Sequence, residues 1–261
     1  MPQTILVTGA SSGIGQATAR LLADRGFTVF GTARKPAAKK QGDITMVPLD
    51  VRSDESVRAC VEEVGRVDVL VNNAGYSLTG AAEETSVDEA KAQFETNFFG
   101  LVRMVNAVLP TMRAARAGKI INISSLAGNT AIPFSGFYSA SKFAVEGYSE
   151  ALWYELRPFG ISVSLVEPGF VNTPIGEASP GAAHPLPAYE ATRKRMLSAF
   201  GKALAGGIAA EEVARTVLAT VQRSSPALRY PVGSQATWLP RLRSMVPWSV
   251  YAAGVRKTFA I

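Results

Sequence analysis

The sequence predicts an α/β protein: a doubly wound, mostly parallel sheet of seven strands with helices on both faces. Three observations carry this. Over the first 170 residues, short apolar β-branched runs alternate with longer helical patterns, the rhythm of βαβ units. The runs are continuous rather than alternating, as in strands buried on both sides. A glycine-rich turn follows the first run directly and opens the first helix. The 261 residues are 47% apolar and 18% charged, and a chain of this size buries roughly 70–75% of its unfolded surface without cross-links.

Strands are expected at 5–8, 28–30, 45–48, 67–71, 119–124, 162–166 and 229–232. A first helix at 14–25 closes at Gly26, and a second at 54–64 has Ser53 or Asp54 as its cap and Gly65 behind it. A long helical stretch at 86–116 should break near Pro110, and a further helix at 138–157 stops before Pro158 and Gly160. Between the second and third strands only 32–44 is available, about the minimum for a parallel return, so that crossover has a short helix or none. Residues 177–187, rich in Ala, Pro, Gly and Ser, precede a helical stretch at 187–200. Together they predict a substrate lid at about 175–200 over the mouth of the sheet. No internal repeat and no linker divides the chain, so residues 1–261 form one domain.

Composition narrows the function classes. The single cysteine, Cys60, excludes a disulfide framework and a multi-cysteine metal site. It sits beside Val61 in a helical stretch and reads as a small core residue. The single histidine, His184, falls in the lid stretch and reads as an exposed loop residue, so no metal site is expected. The net charge of +6 is scattered, with short clusters only at 34–40 and 193–195. It lacks the basic–aromatic interleaving of a nucleic-acid binder. No uninterrupted apolar run reaches the roughly 18 residues of a spanning helix. Met1 leads almost at once into Thr4-Ile5-Leu6-Val7, so no targeting segment and a cytoplasmic location are expected. Near the C-terminus, Trp238, Leu239, Leu242, Met245, Val246, Trp248, Val250 and Tyr251 form an apolar stretch broken by Arg241, Arg243 and two prolines. Packing on its own domain is the default. Lining the pocket, meeting another subunit and peripheral contact with a membrane are the alternatives.

The turn reads Thr8-Gly9-Ala10-Ser11-Ser12-Gly13-Ile14-Gly15. Gly9 permits a sharp bend, Gly13 lets backbone approach a pyrophosphate, and Gly15 allows close helix–sheet packing. The helix N-terminus behind it offers free N–H groups and partial positive charge to phosphates. Sites for NAD usually carry an acid about 20 residues on, where it holds the ribose 2′-hydroxyl. Here that region is Gly31-Thr32-Ala33-Arg34-Lys35-Pro36. A carboxylate would repel a 2′-phosphate, whereas Arg34 can grip one with its planar fork and Lys35 adds a point charge. NADP(H) is therefore expected over NAD(H).

Five further segments occur in order: Asn72-Asn73-Ala74-Gly75, Asn97-Phe98-Phe99-Gly100, Ser124-Ser125, Tyr138-Ser139-Ala140-Ser141-Lys142 and Pro168-Gly169-Phe170-Val171-Asn172-Thr173. With the glycine turn, they make residues 4–174 resemble the short-chain dehydrogenase/reductase family, among whose members steroid- and retinoid-type dehydrogenases and carbonyl reductases have a comparable tail. The resemblance implies a Rossmann fold and hydride transfer between a nicotinamide and a carbonyl or alcohol. Tyr138 and Lys142 share a helix face one turn apart. A cation nearby favours a phenolate, so Lys142 and an oxidised nicotinamide should together lower the pKa of Tyr138, the acid/base group. The family's catalytic serine lies 13 residues before the tyrosine, which selects Ser125 to orient the substrate carbonyl. Ser124 is then a strand-end residue satisfied by backbone. Asn97 matches the family's fourth catalytic residue, which supports a water-linked proton path through Lys142; a satisfied structural Asn is the alternative. The resemblance further places Asp50 and Val51 at the adenine and Asn73, Ala74 and Gly75 beside the adenosine. It places Val171 and Thr173, within the motif opened by Pro168 and Gly169, at the nicotinamide carboxamide. Family members commonly form homodimers or homotetramers.

Positions expected to face the nicotinamide are Tyr76 and Leu78, then Ile132, Phe134 and Phe137, then Phe170, Ile175 and the lid. Nearly all are apolar and none is Arg or Lys. That suits a hydrophobic ketone, aldehyde or secondary alcohol and disfavours small acidic substrates. The rival class is a non-catalytic NADP-binding redox sensor, which predicts a damaged Tyr/Lys/Ser set; this chain keeps the set.

Overall fold

Every residue of the first apolar run is sealed from water: Ile5, Leu6 and Val7 are each 0% exposed. Only a strand covered on both faces does this, and a computed structural model of the chain, describing residues 2–173 and 180–261, shows both covers. Strands β1 (Thr4–Val7), β2 (Thr28–Ala33), β4 (Ile44–Pro48), β5 (Val69–Asn72), β6 (Gly118–Ile123), β7 (Ile161–Pro168) and β10 (Arg229–Val232) pair in parallel in the order β10-β7-β6-β5-β1-β2-β4. Leu6 points to the face covered by α2 (Asp54–Val64), α4 (Gly100–Ala115) and α5 (Gly136–Leu156). Ile5 and Val7 point to the face covered by α1 (Gly13–Asp24) and α7 (Ala210–Gln222). The chain leaves β1 toward β2 and returns on its other side at β5, so a crevice opens between the carboxyl ends of β1 and β5.

The sheet has eight strands rather than seven. The added one, β3 (Lys40–Gln41), is antiparallel to β4 at the edge and turns through Gly42 at φ +61°. This hairpin occupies the crossover that was too short for a helix. A separate two-residue pair joins β8 (Val171–Asn172) to β9 (Ile208–Ala209). Segments of two residues carry no periodicity to read, which is why sequence pattern overlooks them.

The long helical stretch does not break at Pro110. After α3 (Val87–Phe94) the backbone widens into one π-turn over Glu95–Phe99 and then continues as α4 straight through Pro110. Pro110 and Asn106, four residues before it, are both exposed, so the carbonyl that loses its N–H partner can turn to water. Ser53, not Asp54, caps α2, its hydroxyl accepting from Ser56 N at 3.2 Å.

The remaining helices are α6 (Glu190–Ala205), α8 (Ser234–Met245) and α9 (Trp248–Phe259). Among the described residues no helix is long and apolar enough to cross a membrane. The edge strand β10 is clamped by charge. Arg229 reaches Glu150 at 2.6 Å, Glu146 at 3.2 Å and Glu167 at 3.4 Å. Burial, then the neighbouring Glu146 carboxylate, push Glu167 up to about 7. A carboxyl that binds its proton more tightly when folded stabilises the fold at low pH and loses that contribution as pH rises toward its folded value. Stability should therefore decline between about pH 4.5 and 7. In Glu167→Gln, thermal melts across that window should lose this decline.

Candidate active site

The crevice is a cleft of about 670 Å³. One end is the glycine turn. Gly9 and Gly13 take left-handed backbone at φ +67° and +54°, costly for any side chain. Gly15 is required for another reason: a Cβ there would stand 2.2 Å from the Gly9 carbonyl and 2.4 Å from Asn73 Nδ2. Asn73 braces this contact by donating to the carbonyls of Thr8 at 2.9 Å and Gly9 at 3.0 Å. The Thr8 hydroxyl accepts from the backbone N–H groups of Asn73 and Ala74 in return. Gly9, Ser11, Ser12, Gly13 and Ile14 line the cleft, while Gly15 lies behind it as a packing position.

A dinucleotide fits this end. Helix α1 carries no acid in its first turn, and the Ser12 side chain makes no cap hydrogen bond, so the leading N–H groups face the cleft unclaimed. Arg34 lines the cleft at the end of β2, exposed and without a carboxylate partner among the described residues; Lys35 is exposed outside the lining. Asp50 and Val51 line the cleft beyond the end of the neighbouring strand β4, and Asn73, Ala74 and Gly75 line it beyond β5. Sequence reading missed Arg52, which grips Asp50 through two nitrogens at 2.7 and 3.0 Å and holds that carboxyl down at about 2, with Arg34 adding to the effect. No motif pointed to it, because its role follows from the turn that folds it back on Asp50.

The other end holds Ser125 and Tyr138. Ser125 caps a short 3-10 turn after β6, its hydroxyl accepting from Ala127 N at 3.1 Å. Lys142, one turn along α5 from Tyr138 and only 7% exposed, donates to the Ile123 carbonyl at 2.8 Å, with its ammonium 5.9 Å from the Tyr138 ring centre. Burial lowers Lys142 to about 8, against which the Glu146 charge pulls upward. Burial likewise raises Tyr138 above the ordinary phenol value, and the Ser125 hydroxyl, hydrogen-bonded to it, opposes that rise. In the chain by itself desolvation outweighs the depression expected of Lys142. A ladder of backbone contacts keeps the group in register: Ser141 donates to the Tyr138 carbonyl at 2.7 Å and receives from Asn97 Nδ2 at 3.2 Å.

Asn97 sits at the inside of the π-turn, 2% exposed and outside the cleft lining. It clamps Tyr76, accepting from its N–H at 3.0 Å and donating to its carbonyl at 2.9 Å. Ser124, at the end of β6, is buried with its hydroxyl unpartnered, not backbone-satisfied. Pro168, Gly169, Val171 and Thr173 line the cleft at and beyond the end of β7, the strand next to β6, and Tyr76, Ile132 and Phe170 supply its apolar wall. Phe134 packs on the cluster around Met196 and edge-on to Tyr189 at 6.3 Å rather than lining the cleft; Phe137 is half-buried outside the lining, and Leu78 is buried with its N–H on Gln93. Ile175 lies outside the described residues, as does the first part of the expected lid.

The described part of that lid supplies Phe200 of α6 to the cleft, and Leu204, a turn beyond the expected bound, joins it; the sequence singled out neither. Residues 183–193 are tethered by acids to α3 and to the segment just before it. Glu84, fully buried, accepts from Ala81 N and Leu186 N and pairs with Arg193, while Glu89 accepts from Ala183 N at 2.8 Å. His184 is exposed, and Cys60 is buried with its thiol pushed up to about 12.

A crevice at a sheet's switch point, with a phosphate-type turn at one end and a hydroxyl pair at the other, is the architecture of a dinucleotide-dependent oxidoreductase. Residues 3–182 match the family described as short chain dehydrogenase, and the chain belongs to the short-chain dehydrogenase/reductase family. Over 176 residues, 66% of the chain, it is 56% identical to the 3-ketodihydrosphingosine reductase of Bacteroides thetaiotaomicron, the match spanning 65% of that protein. It is 37% identical to mouse (Mus musculus) 17-beta-hydroxysteroid dehydrogenase type 1 over 98% of the chain and 81% of that protein. Among solved structures, a short chain dehydrogenase/reductase from Burkholderia phymatum in complex with NAD superposes with a TM-score of 0.80 at 28% identity, covering 93% of each chain. A variant of actinorhodin polyketide ketoreductase with NADPH superposes at 0.76 and 30% identity over 90% of this chain and 97% of that one. The chain is thus an oxidoreductase of the type that moves a hydride between a nicotinamide and a CH–OH or C=O carbon.

Gly15→Ala tests the phosphate end. Overpacking against the Gly9 carbonyl should destabilise the fold by roughly 2–3 kcal/mol and weaken dinucleotide binding. Thermal melts and calorimetric titration read both.

Proposed function

We propose that the chain is an NADP(H)-dependent oxidoreductase acting on a hydrophobic ketone, aldehyde or secondary alcohol. The observation that carries this is that Ser125 and Tyr138 line one cleft, with Lys142 a turn behind and Arg34, without a carboxylate partner among the described residues, also in its lining. Bound nicotinamide supplies or accepts the hydride. Ser125 donates to the substrate oxygen and orients it, and Tyr138 gives that oxygen its proton in reduction or removes it in oxidation. Lys142 keeps a positive charge near the phenol, favouring its ionised form as the proton leaves. Asn97 positions the Tyr76 turn and Ser141, with a water-linked relay through Lys142 as its further role. Arg34 and Lys35 favour the 2′-phosphate of NADP over NAD.

The substrate class follows from the walls. Ile132, Phe170, Phe200 and Leu204 are apolar, and the two basic side chains of the cleft, Arg34 and Arg52, stand at the adenosine end. Relatives named for a long-chain keto base and for a hydroxysteroid fit the same chemistry. Residues 175–200 act as the lid of a single domain, and the working form is a homodimer or homotetramer.

Mixing the protein with NADPH and a panel of lipophilic ketones and aldehydes should consume the absorbance of the reduced nicotinamide. Bound NADPH with no turnover across the panel would instead favour the redox-sensor reading. Tyr138→Phe should abolish turnover while dinucleotide affinity stays nearly intact. Arg34→Ala should cost NADPH, but not NADH, about 1.5–3 kcal/mol of binding; equal losses would remove Arg34 from that role. Because the charged form of Lys142 is needed and its pKa lies at about 8, kcat/KM for reduction should be level below that pH and fall above it.

A further inference from the structure

The end of the chain differs from the rest in charge. From Val213 to Ile261 there are seven basic side chains and no Asp or Glu. The remainder holds 20 basic residues against 21 acidic ones, so the whole net charge of +6 originates in this segment. Arg229 is consumed by Glu146, Glu150 and Glu167. Among the described residues, Arg241, Arg243, Arg256 and Lys257 on α8 and α9 have no carboxylate partner.

The same two helices leave large apolar side chains in water. On α8, Trp238, Arg241, Leu242 and Met245 follow the i, i+3, i+4, i+7 spacing of one helix face. Trp238 is 63% exposed and Met245 81%, and beyond the Val246-Pro247 link Trp248 is 68% exposed. The Arg241 guanidinium lies 5.5 Å from the Trp238 ring centre and Arg243 6.0 Å from that of Trp248. Indoles beside guanidiniums suit a lipid–water boundary, where the ring enters the headgroup layer and the cation meets phosphate.

We propose that the outer face of α8 and the start of α9 dock this protein on an anionic phospholipid surface. A second copy of the chain is a poorer occupant. A two-fold contact lays a face on itself, which here sets arginines against arginines with no carboxylate in the segment to separate them. The placement has a consequence for the cleft. Val255 and Phe259 of α9 pack with Met196 of α6, in the cluster that also holds Phe170, Phe200 and Leu204, so docking brings the bilayer surface beside the apolar end of the cleft. That consequence, though not the docking, rests on the hydrophobic substrate proposed above.

Sedimentation of the full chain with vesicles tests the proposal without any turnover measurement. The protein should pellet with vesicles of phosphatidylcholine mixed with phosphatidylglycerol and stay in solution with phosphatidylcholine alone. Pelleting should fade as salt shortens the Debye length toward about 3 Å at 1 M. Arg241→Glu should lower the partition coefficient about 30-fold, two units of charge at about fivefold each. Trp238→Ser with Met245→Ser should lower it at least about tenfold. All three positions are exposed, and circular dichroism confirms that the variants fold. No pelleting with the anionic vesicles, or pelleting that the variants leave unchanged, overturns the proposal. So does a variant that turns an oligomer into a monomer without altering partition, which would assign the face to a second copy.

Discussion

The fold and its cleft depend on how closely α1 can approach the end of β1. Gly15 sits where a single methyl group would collide with the Gly9 carbonyl at 2.2 Å, and Asn73 bridges the same spot from β5. This contact ties the first helix to the two strands between which the sheet changes direction. Spreading it by even an ångström would move the helix N-terminus away from the crevice, open the Thr8–Asn73 hydrogen bonds and detach the phosphate end from the chemical end. Everything else in the cleft is arranged relative to that junction.

The chemical end is governed by desolvation. Lys142 and Tyr138 both lie where water is scarce, and burial moves the two in opposite directions, the lysine down and the phenol up. The two shifts drive the groups apart, favouring the neutral form of each, and they arise from packing before any ligand adds its charge. Glu146, one further turn along α5, opposes the loss of charge on Lys142 while itself sharing Arg229 with Glu150 and Glu167. A structural clamp on the edge strand therefore also sets the electrostatic background of the site.

Much of this was readable before any coordinates. The strand order of apolar runs, the missing crossover helix, the glycine turn and the Tyr138–Lys142 pair are local patterns, and each occupies the element its spacing implied. Pro110 misled because a proline's cost depends on whether the freed carbonyl meets water, which is a matter of exposure. Asn97 shows a similar limit. Its position in a motif was legible, but its engagement with the Tyr76 backbone depends on a π-turn that no periodicity announces. Arg52, Phe200 and Leu204 reached the cleft unannounced, since nothing in their neighbours marks them as anything but loop and helix residues.

By itself, then, the sequence determined the seven parallel strands, the cofactor class and the glycine turn and Tyr138–Lys142 pair at the two ends of the cleft, because those rest on short-range rules of backbone conformation, helix periodicity and glycine sterics. Tertiary structure alone decided which residues Glu84 and Glu89 hold, how far burial shifts Lys142 and Tyr138, and that the tryptophans of the last two helices face outward. Those outcomes come from atoms far apart in the chain, whose separation in water or in protein is set only when the fold closes.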